Sequence, residues 1–168
     1  NQKVSNYPGV TVEKKTGTVK LNNETKASIT DLPGTYSINP SSLDENIVLQ
    51  TFLSIDKKNY PDVVVVVADV ENLKRNLFLF SQIKDLEIPA ILVINMSDRM
   101  KKNGISIDIE LLRKELKSEV ILISARKNLG IDDVKKVILN YKKANTLKIA
   151  DIANRIDAKF FTTLKEKF

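Results

Sequence analysis

Three short stretches of this chain hold residue types that could surround a purine nucleotide: Asp31-Leu32-Pro33-Gly34, Asn95-Met96-Ser97-Asp98 and Ser124-Ala125-Arg126. An ionised carboxylate at Asp98 would accept hydrogen bonds from the N1–H and 2-amino group of guanine. Adenine offers an acceptor at N1 and no 2-amino group, so the same carboxylate would disfavour it through an unpaired, desolvated charge. Asp31 could hold a magnesium-bound water, since magnesium prefers oxygen ligands and keeps several waters. Gly34 has no side chain, so its N–H could approach a γ-phosphate oxygen without a clash. Ala125 could present an N–H to guanine O6, with Ser124 bracing the loop. Each motif is weak alone: Pro33-Gly34 also fits a plain turn, and Asp98 also fits an exposed loop carboxylate. No G-x-x-x-x-G-K-[ST] phosphate loop occurs anywhere in the chain.

The elements that would position these residues alternate between strand and helix. Residues 10–20 read as an extended stretch broken at Gly17, and residues 27–30 as a short strand running into Asp31. Residues 63–67 are all valine, the pattern of a strand buried on both faces, and residues 90–94 are wholly apolar behind Pro89. Residues 120–123 form another apolar strand. Helical spacing marks residues 43–55, 72–86, the run Ile109, Leu112, Leu116, and the run Val134, Val137, Ile138, Tyr141. Such alternation predicts an α/β fold with a mostly parallel sheet and helices on both faces. Asp31, Asp69, Asn95 and Ser124 then all follow carboxyl ends of strands, the ligand-binding edge of an open α/β sheet. Their order and shared placement make the joint signal strong.

Composition removes several chemistries. The chain has 168 residues, 42% of them hydrophobic, consistent with one ordinary domain and a small appendage. There is no cysteine and no histidine, which excludes disulfides, thiolate and imidazole metal sites, and Ser-His-Asp catalysis. The net charge of +6 comes from lysines scattered through helical segments, which reads as a solvated surface. Aromatics are few and not interleaved with arginine, so no nucleic-acid partner is expected. No apolar run reaches membrane-spanning length.

The surroundings of the motifs carry a more specific signal. Asn6-Tyr7-Pro8-Gly9-Val10-Thr11-Val12-Glu13, Asp31-Leu32-Pro33-Gly34-Thr35-Tyr36-Ser37 and Asn72-Leu73-Lys74-Arg75-Asn76-Leu77 resemble the switch segments and third-strand signature of the FeoB family. The family is that of ferrous iron transport protein B, and the similarity is to its cytoplasmic G-protein domain. The resemblance implies a Ras-like P-loop GTPase sheet flanked by helices, spanning residues 1–143 from the first switch onward. The domain's first strand and P-loop are absent from the chain. The expectation is that Asn1 is not the start of the domain, and that about two to three dozen residues precede it in the intact protein.

The same resemblance assigns Thr11 to magnesium and γ-phosphate sensing, with Asp31 and Gly34 doing the same work in the second switch. It gives guanine reading to Asn95 and Asp98, and support of the base to Ser124 and Ala125. Met96 stands where most G proteins carry a lysine whose stem covers the base, so a looser grip on nucleotide is expected. A potassium ion is implied near the backbone carbonyls of Ser5 and Tyr7, with Ser5 standing where the family usually has glycine. Thr35 follows Gly34 in place of a water-orienting glutamine, so GTP hydrolysis is expected to be slow.

Residues 144–168 carry apolar positions at three- and four-residue steps and resemble the start of the family's helical domain, which leads toward a membrane iron channel. The implied function is GTP binding and hydrolysis that regulates ferrous iron passage, at the cytoplasmic face of the bacterial inner membrane. A homo-oligomer stays open. Two alternatives remain: a nucleotide-free interaction module with a G-domain fold, and another bacterial GTPase such as a ribosome-assembly factor.

Overall fold

A computed structural model describes residues 2–6, 13–37, 47–48, 50–52, 60–100 and 102–141. Six strands are arranged in two three-stranded sheets. The first sheet is antiparallel, with β1 (Gln2–Asn6), β2 (Glu13–Lys20) and β3 (Lys26–Asp31) in sequence order. Asn22 makes the turn between β2 and β3, its side-chain oxygen accepting from the N–H groups of Glu24 and Thr25. Gly17 does not break β2, as its composition suggests it should. It pairs with Gln2 on one side and Ile29 on the other, because two partner strands supply the order that glycine itself does not.

The second sheet is parallel, with β5 (Ala90–Asn95) between β4 (Val64–Asp69) and β6 (Val120–Leu122). Helices α1 (Leu73–Asp85), α2 (Ser97–Met100), α3 (Ile109–Leu116) and α4 (Ile131–Leu139) are interspersed among the described residues. Residues 47–48 and 50–52 are also helical, and Val48 and Phe52 enter the core.

Strand β5 is the hub, and its alternation splits the core in two. Ala90, Leu92 and Ile94 face a cluster holding Phe80, Ile83, Ile88 and Leu116, contributed mainly by α1 and α3. Ile91 and Val93 face Ile121, Ile123 and the α4 residues Ile131, Val134, Val137 and Ile138. Helices therefore cover both faces of β5, as the unbroken apolar run requires. Burying a leucine- or phenylalanine-sized side chain there contributes about 1.5–3 kcal/mol, so this two-sided strand anchors the fold.

The valine run behaves differently. Val66 and Ala68 are buried against α1, but Val67 on the opposite face is 61% exposed. Strand β4 borders its sheet, and α4 packs on β5 and β6 rather than reaching Val67. Among the described residues the antiparallel and the parallel sheet are separate, and β3 and β4 are not paired to each other. The segment after β3 is still held to the rest, since Leu32 packs against the cluster beneath α1.

Candidate functional site

The loops after β5 and β6 meet and are tied together by hydrogen bonds. Ile123 donates its N–H to the Ile94 carbonyl at 2.8 Å, and Ser97 donates to the Ile123 carbonyl at 3.0 Å. These bonds extend the β5–β6 pairing into the loops and bring Asn95, Asp98, Ser124 and Ala125 into one cluster.

Within it, Asn95 Oδ1 accepts from the N–H of Met96 at 2.8 Å and of Ala125 at 3.0 Å. Asn95 is thus the brace between the two loops, a role that its place in the sequence motif does not reveal. Its bond to Met96 also supports a backbone that bends the wrong way for an ordinary residue: Met96 has φ +66°. Such conformations cost of order 1–3 kcal/mol and persist where surrounding contacts fix them. The N–H of Ala125, expected to face guanine O6, donates to Asn95 in this structure.

Asp98 is the second residue of α2, and its Oδ1 accepts the hydrogen bond of the Ser124 hydroxyl at 2.7 Å. Ser124 is fully buried, and its Oγ also accepts from the Lys127 N–H at 3.3 Å, capping the short 3-10 turn Ala125–Lys127. Ser124 and Leu129 exchange backbone bonds at 3.1 and 3.0 Å, closing the loop into a ring. Asn128 and Gly130 turn that ring through left-handed conformations. A side chain at Gly130 would bring its Cβ within 2.7 Å of the Leu122 carbonyl oxygen, so glycine is required there.

The electrostatics favour an anion at Asp98. The Ser124 hydroxyl is the largest cause holding its carboxyl below the usual carboxylate range, and partial desolvation opposes it. The backbone N–H of Asp98 and the charges of Lys127 and Arg126 add to the lowering. Arg126 and Lys127 read as solvated loop charges in the sequence, and here they act on Asp98 through space. A carboxylate kept ionised and oriented at a half-exposed loop can accept two parallel N–H donors from a planar ligand.

The remaining expected residues lie elsewhere. Asp31 ends β3, paired with Lys15, and is exposed. Gly34 sits in a segment without a hydrogen-bonded turn, and a Cβ there would meet nothing within 4 Å. Neither backbone conformation nor packing in this structure asks for glycine at that position, which weakens the plain-turn explanation. Ser5 lies in β1 opposite Lys14. Thr11 and Tyr7 lie outside the described residues, as does the whole of residues 144–168.

The Arg75 guanidinium on α1 stacks over the Tyr36 ring in the segment after β3, 3.4 Å from its centroid. Among the described residues no group of three or more carboxylates gathers as a metal cage.

An α/β core whose carboxyl-edge loops are braced in this way has the fold of a G domain, and solved structures agree. The cytosolic domain of Legionella pneumophila FeoB aligns with a TM-score of 0.81 at 38% identity, covering 99% of this chain and 66% of that one. The cytosolic domain of the T. maritima FeoB iron transporter in a GDP form aligns with a TM-score of 0.79 at 37% identity, covering 88% and 56%.

The family model for ferrous iron transport protein B matches residues 1–138, and the chain belongs to that family. An Fe(2+) transporter FeoB of Leptospira biflexa is 35% identical over 167 residues, which are 99% of this chain and 24% of the relative. One from Legionella pneumophila is 41% identical over 155 residues, 89% of this chain and 20% of the relative. The chain therefore spans a quarter or less of the curated relatives it matches. Among the described residues no helix is long and apolar enough to cross a membrane.

Proposed function

We propose that this chain is the guanine-reading part of a GTP-binding regulatory domain that serves ferrous iron transport. The observation that carries the proposal is the Asp98–Ser124 hydrogen bond inside a loop pair braced by Asn95. An ionised, fixed carboxylate is what guanine's N1–H and 2-amino donors require. Ser124 and Ala125 support the loop beside it, and Met96 covers less of the base than a lysine stem would. Donating to guanine O6 from Ala125 would need its N–H to be shared with, or released from, Asn95.

Asp31 and Gly34, with Thr11, would face the γ-phosphate and magnesium. The metal would neutralise phosphate charge when bound, and Asp31 would orient one of its waters. Hydrolysis in the intact protein is slow on this reading. The Thr35 hydroxyl donates to the Ser37 carbonyl at 2.6 Å and accepts from the Ser37 N–H at 3.2 Å, so it is turned back on its own segment. A potassium ion held by the carbonyls near Ser5 and Tyr7 would supply charge that no glutamine provides.

The G domain covers residues 1–143, and residues 144–168 begin a helical segment leading to a membrane iron-channel domain. The intact protein works at the cytoplasmic face of the bacterial inner membrane. Titrating a fluorescent GDP analogue into the full-length transporter tests the reading. Saturable binding displaced by GTP but not by ATP supports it. Equal displacement by ATP and GTP, or no binding at all, favours an interaction module instead.

A further inference from the structure

We propose that Glu71 positions the base-reading helix α2 from the loop after β4, acting through Arg99 and Asn103. This rests on the guanine-reading role of Asp98 proposed above. The starting point is the shortness of α2: four residues cannot sustain a helix alone, because a single turn fixes several dihedral angles for one hydrogen bond. Asp98 sits in that turn, so its aim depends on what holds the turn from outside. One side is fixed by the bond from Ser97 to Ile123.

On the other side the Glu71 carboxylate gathers two donors. Asn103 Nδ2 donates to Oε1 at 2.7 Å, and Arg99 Nη1 reaches the two oxygens at 3.4 and 3.5 Å. Backbone bonds carry this grip to the motif, since Asn103 donates to the Arg99 carbonyl at 3.0 Å and Arg99 to the Met96 carbonyl at 2.9 Å.

Glu71 is itself anchored. Its N–H donates to Asp69 Oδ1 at 2.7 Å, and Asp69 Oδ2 accepts from Asn72 Nδ2 at 2.8 Å. The Asp69 N–H donates to Asn76 Oδ1 at 3.2 Å, and Val70 donates to the Asn95 carbonyl at 3.3 Å. The clamp therefore joins the β4 loop to both ends of the Asn95–Asp98 motif. An exposed ion pair alone would contribute little, and Arg99 and Glu71 are 51% and 36% exposed. The shorter bond is to a neutral amide, so the clamp survives salt that screens the arginine.

The test measures release of fluorescent GDP from the full-length protein, together with the GDP-to-XDP affinity ratio and amide hydrogen exchange of residues 97–100. Glu71→Ala is expected to speed release about two- to tenfold, to reduce the ratio and to quicken exchange. Glu71→Gln, which still accepts from Asn103, keeps most of the wild-type behaviour. Glu71→Ala and Asn103→Ala combine to less than the sum of their separate effects.

Unchanged release and exchange in Glu71→Ala would overturn the proposal. So would a lowered melting temperature with release and base preference intact, which is what a merely structural residue gives. A wild-type protein without guanine preference would instead remove the reading on which the proposal rests, and the exchange data would still report whether the clamp exists.

Discussion

Asp98 Oδ1 accepts the hydrogen bond of the fully buried Ser124 hydroxyl at 2.7 Å, joining the first residues after β5 to those after β6. This bond makes Asp98 a fixed anion rather than a mobile loop carboxylate. Ser124→Ala removes the largest cause of its lowered pKa and also the cap on Lys127. The Asp98 carboxyl is therefore expected to titrate at higher pH in that variant, as carboxyl carbon NMR would show. Stability should fall by about 1 kcal/mol in urea denaturation, the usual cost of a lost cap or hydrogen bond.

The same bond sets a pH dependence. The folded pKa of Asp98 is depressed, so the unfolded chain binds more protons in the window between the folded value and about 3.9. Its contribution is present in full above the unfolded value and is lost as pH falls through the folded one. Wild type should thus lose more stability than Asp98→Asn on acidification below about pH 4. Parallel losses in the two proteins would contradict this.

Lys84 gives a second window, on the alkaline side, with the same sign of slope. It is fully buried on α1, and its ammonium donates to the Lys117 carbonyl at 3.3 Å. Burial, then the nearby Lys117 charge, lowers its pKa. Between that lowered value and the ordinary lysine range near 10.4 the unfolded chain binds more protons, so stability rises with pH across the window. Lys84→Met should flatten that rise in denaturation curves recorded from neutral pH upward.

Gly130 is a test of the loop ring rather than of charge. It combines φ +76° with a position where a Cβ would press on the Leu122 carbonyl and Ile123. Gly130→Ala is expected to cost about 2–4 kcal/mol, adding left-handed strain to local overpacking. Thermal unfolding checks it, and a loss below about 0.5 kcal/mol would show that the ring relaxes freely.

How much of this was legible in the chain depends on which physical signal carried each part. The unbroken apolar run of β5 announced a strand covered on both faces, and the structure covers it so. The adjacent valines carried the same signal, and among the described residues Val66 is buried while Val67, on the other face of a strand paired on one side, is exposed. Asn95, Asp98, Ser124 and Ala125 were legible as a group from order and strand-end placement. The division of labour among them was not: that Asn95 spends its oxygen bracing the Ala125 amide is a matter of loop geometry. Glu71 was invisible, since a lone glutamate in a loop acquires meaning only when Arg99 and Asn103 are brought to it from the far side of β5.

The central claim is that Asp98 reads guanine, and nucleotide competition on the full-length protein tests it most directly. Wild type should prefer GDP to XDP, and Asp98→Asn should reverse that order, because an amide's N–H can donate to xanthine O2 where a carboxylate cannot. A GDP preference that persists in Asp98→Asn would contradict the account.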